Sequence, residues 1–337
     1  MLAPLAVLAL LAHAGAVQPA VARAVVPPFL GQAEGSSQAG EAGPSTPRDD
    51  VPAPVFVDVI ATDSRGRSVE TLTQADFELR EDGTPQSIDA VRFVKKANPS
   101  GAVEPGPTIE SESDERAAAA VPNTRLFGFF LDEYHVSAAS TARVRSALLR
   151  FIDENIGPSD LIVVMRPLDS LMTIRMTRDR GRILHEIEEF EGRQGDHTPK
   201  NATEQSYMAG TPERIEQLRA QVATSALNAM AVHLGSLGQR GRKTLVVVTE
   251  GLPKLERRRG FESLPTVDGV IRSANRVNVA IYVVDPRQPP IDSAATAGAD
   301  ILQSLAASTG GQYIAHADLQ VGMRPIAADS SGYYLLS

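Results

Sequence analysis

Residues 125–137 read RLFGFFLDEYHVS. The run 126–131 is short, apolar and bounded by Arg125 and Asp132. A run of this length without polar alternation suits a strand buried on both faces, as in a parallel sheet. Beyond it, Val144, Ala147, Leu148, Phe151 and Ile152 fall at i, i+3, i+4, i+7 and i+8, the apolar stripe of a helix that stops at Gly157-Pro158. Residues 161–165 and 171–176 read as two strands joined through Pro167-Leu168-Asp169 as a hairpin. Ile183, Ile187 and Phe190 mark another helix, and 192–210 is a polar loop. Thr211 then caps a helix with Pro212 at its first position and Glu213 in its first turn, running through Ile215, Leu218, Val222, Leu227 and Leu234. A strand at 244–248, a helix near 267–276, a strand at 279–284 and a helix at 301–307 follow, with 312–315 and 333–336 as the last strands. Strands separated by helices predict an α/β domain over 125–337: a doubly wound, mainly parallel, Rossmann-like sheet flanked by helices.

Working back toward the N-terminus, residues 96–124 read as a linker, with Pro99, Gly101, Pro105, Gly106 and Pro107 followed by the acidic run 110–115. Residues 55–95 read as a small β module. Val55, Val57 and Val59 alternate along a first strand, Asp63-Ser64-Arg65-Gly66 is a turn, 77–80 is a second strand closed by Glu81-Asp82-Gly83, and 88–94 is a third. About 40 residues are marginal alone, so this module is expected to pack on something larger. Residues 25–54, rich in Ala, Gly, Pro, Ser and Gln, read as a disordered linker. Residues 1–24 hold an apolar run, shorter than the ~20 residues of a comfortable span, followed by small-x-small sites between Ala12 and Ala24. This predicts a signal peptide, no membrane span after its cleavage, and an exported, periplasmic or secreted protein.

The chain has 337 residues, a formal net charge of −8 and no cysteine. No disulfide framework, thiol nucleophile, Cys-ligated metal or acylated cysteine is available to it. A mildly acidic chain lacks the basic surplus a general nucleic-acid binder needs. No G-x-x-x-x-G-K-[ST] or G-x-S-x-G motif is present, which leaves nucleotide binding and a Ser-His-Asp hydrolase unsupported. The arginine-rich run 254–259 reads as a solvated loop. Asp285-Pro286 reads as a strand exit.

In an open parallel sheet, ligands bind beyond the carboxyl ends of the strands. Asp132 and Glu250 occupy such ends, and carboxylates beside hydroxyls suit a hard divalent cation.

A strand ending in Asp132 and a later strand ending in Thr249-Glu250-Gly251 resemble the von Willebrand factor type A domain, and more closely the bacterial VWFA-related proteins. The likeness also rests on Leu72-Thr73-Gln74-Ala75-Asp76-Phe77 with Glu81-Asp82-Gly83, on Leu131-Asp132-Glu133-Tyr134-His135 and on Gly241-Arg242-Lys243-Thr244. It extends to Ala274-Asn275 with Ile281-Tyr282-Val283-Val284-Asp285-Pro286, and to Leu305-Ala306, Thr309-Gly310-Gly311 and Tyr333-Tyr334-Leu335-Leu336. It covers residue 55 to the end, and sequences of this family usually continue past the Tyr-Tyr-Leu-Leu strand. The resemblance implies a metal-ion-dependent adhesion site, here degenerate. Asp132 matches the first ligand, Tyr134 and Val136 stand at the two serine positions, and Glu250 stands in place of an Asp. Thr203 or Thr211 would supply the loop hydroxyl, with Glu133, His135 and Ser137 as compensating groups. The metal positions so implied are Asp132, Glu250, Ser137, Glu133 and Thr211, holding Mg²⁺ or Mn²⁺ ahead of Ca²⁺. The function implied is non-enzymatic binding of a protein ligand. A metal-free structural part of an envelope complex is the alternative, and a metal-dependent hydrolase using His135 is the remote one.

Overall fold

A computed structural model describes residues 21–25 (backbone), 57–63, 68–81, 83–95, 106–121, 124–170, 174–238, 242–252, 264–288 and 298–337. The larger part of the linker 25–54, residues 1–20 of the leader, the turn residues 64–67 and the arginine run 254–259 lie outside these residues.

Five parallel strands form the main sheet: β6 (Leu126–Leu131), β7 (Leu161–Met165), β8 (Lys243–Val248), β9 (Val279–Val284) and β10 (Tyr313–Ile314), in the order β10-β9-β8-β6-β7. Earlier in the chain come β1 (Val21–Val25), β2 (Val57–Thr62), β3 (Leu79–Glu81), β4 (Thr84–Gln86) and β5 (Val91–Lys95), and the last strand is β11 (Gly332–Leu336). The helices are α1 (Glu112–Ala119), α2 (Thr141–Asn155), α3 (Arg180–Glu188), α4 (Ala202–Tyr207), α5 (Pro212–Ser236), α6 (Val267–Arg276), α7 (Ala299–Ser308), α8 (Leu319–Gly322) and α9 (Arg324–Ser331). No helix among the described residues is long and apolar enough to cross a membrane.

The alternation along β6 splits the core in two. Leu126 and Phe130 join one cluster with Ala223, Leu227, Met230 and Leu234 of α5 and with residues of α6 and α7. Phe127, Phe129 and Leu131 join the other, with Val144, Leu148, Phe151 and Ile152 of α2 and with α3, α8 and α9. Both faces of the sheet are therefore covered, which is why its strands read as continuous apolar runs. Gly128 lies where α5 comes closest: a Cβ there would meet Leu234 Cδ1 and Met230 Cε at 2.8 Å. The buried stripe of α5 runs through Ile215, Arg219, Ala223, Leu227, Met230 and Leu234, and it is richer in small residues than the expected Leu218 and Val222 face.

The link from β6 to β7 runs over one face through α2, and the link from β8 to β9 runs over the other through α6. Strand order reverses between the adjacent strands β6 and β8, so the switch point of the doubly wound sheet lies at their carboxyl ends.

Three expectations change. The expected strand 171–176 is not formed over its described residues 174–176, and its antiparallel pairing with 161–165 is limited among the described residues to one bridge. Residues 171–173 lie outside the described part, and Ile162 and Thr177 form a single antiparallel bridge. The acidic run 110–115 enters α1, capped by Ser111, because Glu115 is buried and accepts from Met176 N at 2.7 Å. The strand expected at 333–336 belongs to the small sheet and not to the α/β sheet. That sheet is antiparallel, in the order β1-β2-β11-β5, with β3 and β4 as a separate pair. Tyr334 explains the exchange. Its ring packs on Phe77 and Phe93, and its hydroxyl donates to Val69 O and accepts from Leu72 N. β1 lies at the end of the segment read as the leader.

Candidate functional site

The site begins where the β6 ladder ends. Asp132 N donates to Val248 O at 3.0 Å, so pairing with β8 fixes the backbone of the first residue past the strand. The chain then turns tightly, with His135 N and Val136 N both donating to Asp132 O. Glu250 N donates to His135 O at 3.0 Å, which ties the β8 exit to this turn. Asp132 and Glu250 thus flank the switch point, as the strand-end argument expects.

Asp132 is fully buried. Its Oδ2 accepts from Thr249 Oγ1 at 2.9 Å and lies 2.7 Å from His135 Nδ1. Burial alone would push the imidazole toward neutrality, but the Asp132 carboxylate outweighs it and holds the His135 pKa above its ordinary value. Ser137 Oγ donates to Glu250 Oε1 at 2.9 Å. Glu133 pairs with Lys200 at 3.2 Å. Tyr134 and Val136, at the positions where the resemblance places serines, are buried. The Tyr134 ring lies under the Arg219 guanidinium, 4.7 Å from its centroid, and Val136 joins the core on the α2 face. Burial, with Glu204 and Glu133 nearby, raises the Tyr134 pKa.

Thr211 and Thr203 are not brought into this cluster. Thr211 is exposed, and its hydroxyl accepts from Arg214 N as the cap of α5. Thr203 is exposed on α4, where its carbonyl accepts from Ser206.

The polar loop 192–210 crosses over the strand ends as a strap. It can lie this close because residue 192 is glycine: a Cβ there would stand 2.5 Å from Val136 O and 2.6 Å from Ser137 O. Arg193 N donates to Glu133 O and Gln194 N to Val136 O. The Arg193 guanidinium reaches both oxygens of Glu204, at 2.9 and 3.1 Å, and both residues are buried. Arg219, also buried, donates to Asp196 O. His197 pairs with Glu216 at 2.6 Å. At the end of α4, Met208 tucks against Tyr134 and Ile215 while Tyr207 stands 67% exposed. A third strand-end acid, Asp285 after β9, is fully buried and accepts from Arg287 and Tyr313. Burial, with Asp285 adding to it, raises the Tyr313 pKa.

Arg193, Glu204, Arg219 and Asp285 were not among the expected site residues. Arg219 did carry a signal, since it falls four residues after Ile215 on the apolar side of α5. Asp285 has the same strand-end position as Asp132 and Glu250, but the following proline reads as a simple exit.

No family model matches the chain, and no curated protein matches it.

Proposed function

We propose that the chain is an exported, non-enzymatic, protein-binding module whose binding face is the strap and strand ends of the α/β sheet, held in shape without a resident metal. One observation carries this reading: each acid at the strand ends has side-chain partners inside the fold, although Asp132 Oδ1 is left without one among the described residues. Asp132 is held by His135 and Thr249, Glu250 by Ser137, and Asp285 by Arg287 and Tyr313. This arrangement does not fit a divalent ion. A protonatable imidazole already contacts Asp132, Val136 has no hydroxyl to offer where a serine would stand, the Tyr134 ring is packed under Arg219, and Thr211 is committed to a helix cap. Exposed Tyr207 supports protein binding, since a large aromatic side chain on a rigid rim is a common anchor at interfaces.

What supports a relationship to bacterial VWFA-related proteins is the order of the motifs together with a parallel sheet flanked by helices, an architecture common to many doubly wound folds. Export rests on the apolar leader. A structural role in an envelope assembly is the second reading, favoured by the same internal matching.

Thermal melting with Mg²⁺, Mn²⁺ or EDTA tests the metal-free scaffold. The melting temperature should not move, and a saturable rise with either ion would overturn it. Cross-linking from the native envelope fraction tests the binding face. A partner captured by the wild type and lost with Tyr207→Ala supports it, and capture that is indifferent to Tyr207 and to the strap favours the structural role.

A further inference from the structure

A pocket of about 260 Å³ opens where β7, the outer strand of the main sheet, reaches its carboxyl end. Its aliphatic lining is buried and comes from both sides of the sheet edge: Val164 of β7 and Ile183 of α3 from the core on the α2 face, and Val163 of β7 and Ile174 from the core on the α5 face. Its rim is cationic, formed by Arg166, Arg175 and Arg182 against two acids, Asp169 and Glu186.

The fold leaves these arginines under-used. The Arg166 and Arg175 side chains are only 27% and 25% exposed, so both have given up much of their hydration. In return, the Arg166 guanidinium donates to one carbonyl, Glu186 O at 3.1 Å, and its nearest carboxylate is Glu189 at 4.0 Å. The Arg175 guanidinium donates to its neighbour Ile174 O at 2.9 Å, and its nearest carboxylate is Glu112, also at 4.0 Å. Arg182 pairs with Glu186 along α3 at 2.9 Å. Asp169 is turned to the Arg166 backbone N–H, at 2.6 Å. A guanidinium offers five N–H donors in a planar fork that matches a carboxylate. Two such forks, largely desolvated and each donating to one carbonyl among the described residues, are poised for an external acceptor.

We propose that this pocket binds a small organic carboxylate with an apolar body, its carboxylate on Arg166 and Arg175 and its body against the aliphatic lining, chiefly Val164 and Ile183. The aliphatic lining selects against a bare inorganic anion, which would gain nothing from it. Arg182, more exposed, adds long-range attraction at the mouth. The site lies at the outer, β7 end of the sheet, shares no lining residue with Asp132, Glu250 or the strap, and stands whether or not they bind a protein.

Calorimetric titration and thermal melting of the full chain with isocaproate, its uncharged amide and inorganic phosphate test the proposal. Isocaproate should bind saturably and raise the melting temperature, and the amide and phosphate should do neither. Arg166→Met with Arg175→Met should weaken isocaproate binding about tenfold or more, the scale of a lost charge-assisted pair. Arg182→Gln, at a side chain 55% exposed, keeps the test valid if the double variant fails to fold. It should weaken binding about threefold at low salt. Absence of isocaproate binding, equal binding of the amide or of phosphate, or unchanged affinity in these folded variants would overturn it.

Discussion

His135 Nδ1 lies 2.7 Å from Asp132 Oδ2, three residues back along the chain, in a turn where both side chains are buried. In this place an adhesion-type domain would hold a cation on its first aspartate. Here an imidazole stands against that aspartate, and Asp132 keeps it more basic than usual.

His135→Ala should cost about 3–5 kcal/mol of stability, the range for removing one partner of a buried charged pair. Asp132→Asn should cost less, because the amide still accepts from Thr249. Denaturant unfolding of both variants checks the order, and equal small losses would show that the contact carries little energy.

The strap has an acid limit. Burial favours the neutral form of Glu204, but the Lys200 N–H and the Arg193 guanidinium more than offset this and hold its pKa below the ordinary value. A carboxyl with a lowered folded pKa contributes stability that is present above about pH 4.5 and is lost as the pH falls through the folded value. Unfolding free energies measured from pH 6 to pH 3 should fall more steeply in the wild type than in Glu204→Gln. Parallel curves would show that Glu204 is not coupled to folding.

Gly192→Ala should cost about 1–3 kcal/mol, because the added methyl meets the Val136 and Ser137 carbonyls and only backbone movement relieves the clash. Hydrogen exchange should quicken across 193–208 with β6 and β8 unaffected. Global loosening would show that the strap is integral to the domain core.

Tyr334→Phe removes a hydroxyl that both donates and accepts, at 2.9 Å each way, and keeps the ring packing. The expected cost is about 1–3 kcal/mol, confined to the small sheet. Near-ultraviolet dichroism and exchange in β2 and β5 would report it.

The main sheet was legible because burial on both faces leaves unmistakable apolar runs at 126–131, 244–248 and 279–284. The ends of Asp132 and Glu250 were legible for the same reason, since a strand's last apolar residue fixes where the next side chain emerges. The strap was not, because its geometry rests on buried ion pairs such as Arg193–Glu204, and single-residue patterns carry no sign of which charges will meet. The placement of Tyr333 to Leu336 was misjudged for a topological reason. Local pattern marks a strand, but nothing local says which sheet receives it.

That misplaced strand sets an order of events. β11 lies between β2 and β5, and Ser337 exchanges backbone bonds with Ala90. Roughly 240 residues separate β5 from β11, so at ~5–20 residues per second a ribosome needs on the order of tens of seconds to supply the missing central strand. Until then β2 and β5 present open edges without their partner. The small sheet can therefore close only after β11 has been made, so its earliest strands wait on a segment that lies beyond the whole α/β sheet.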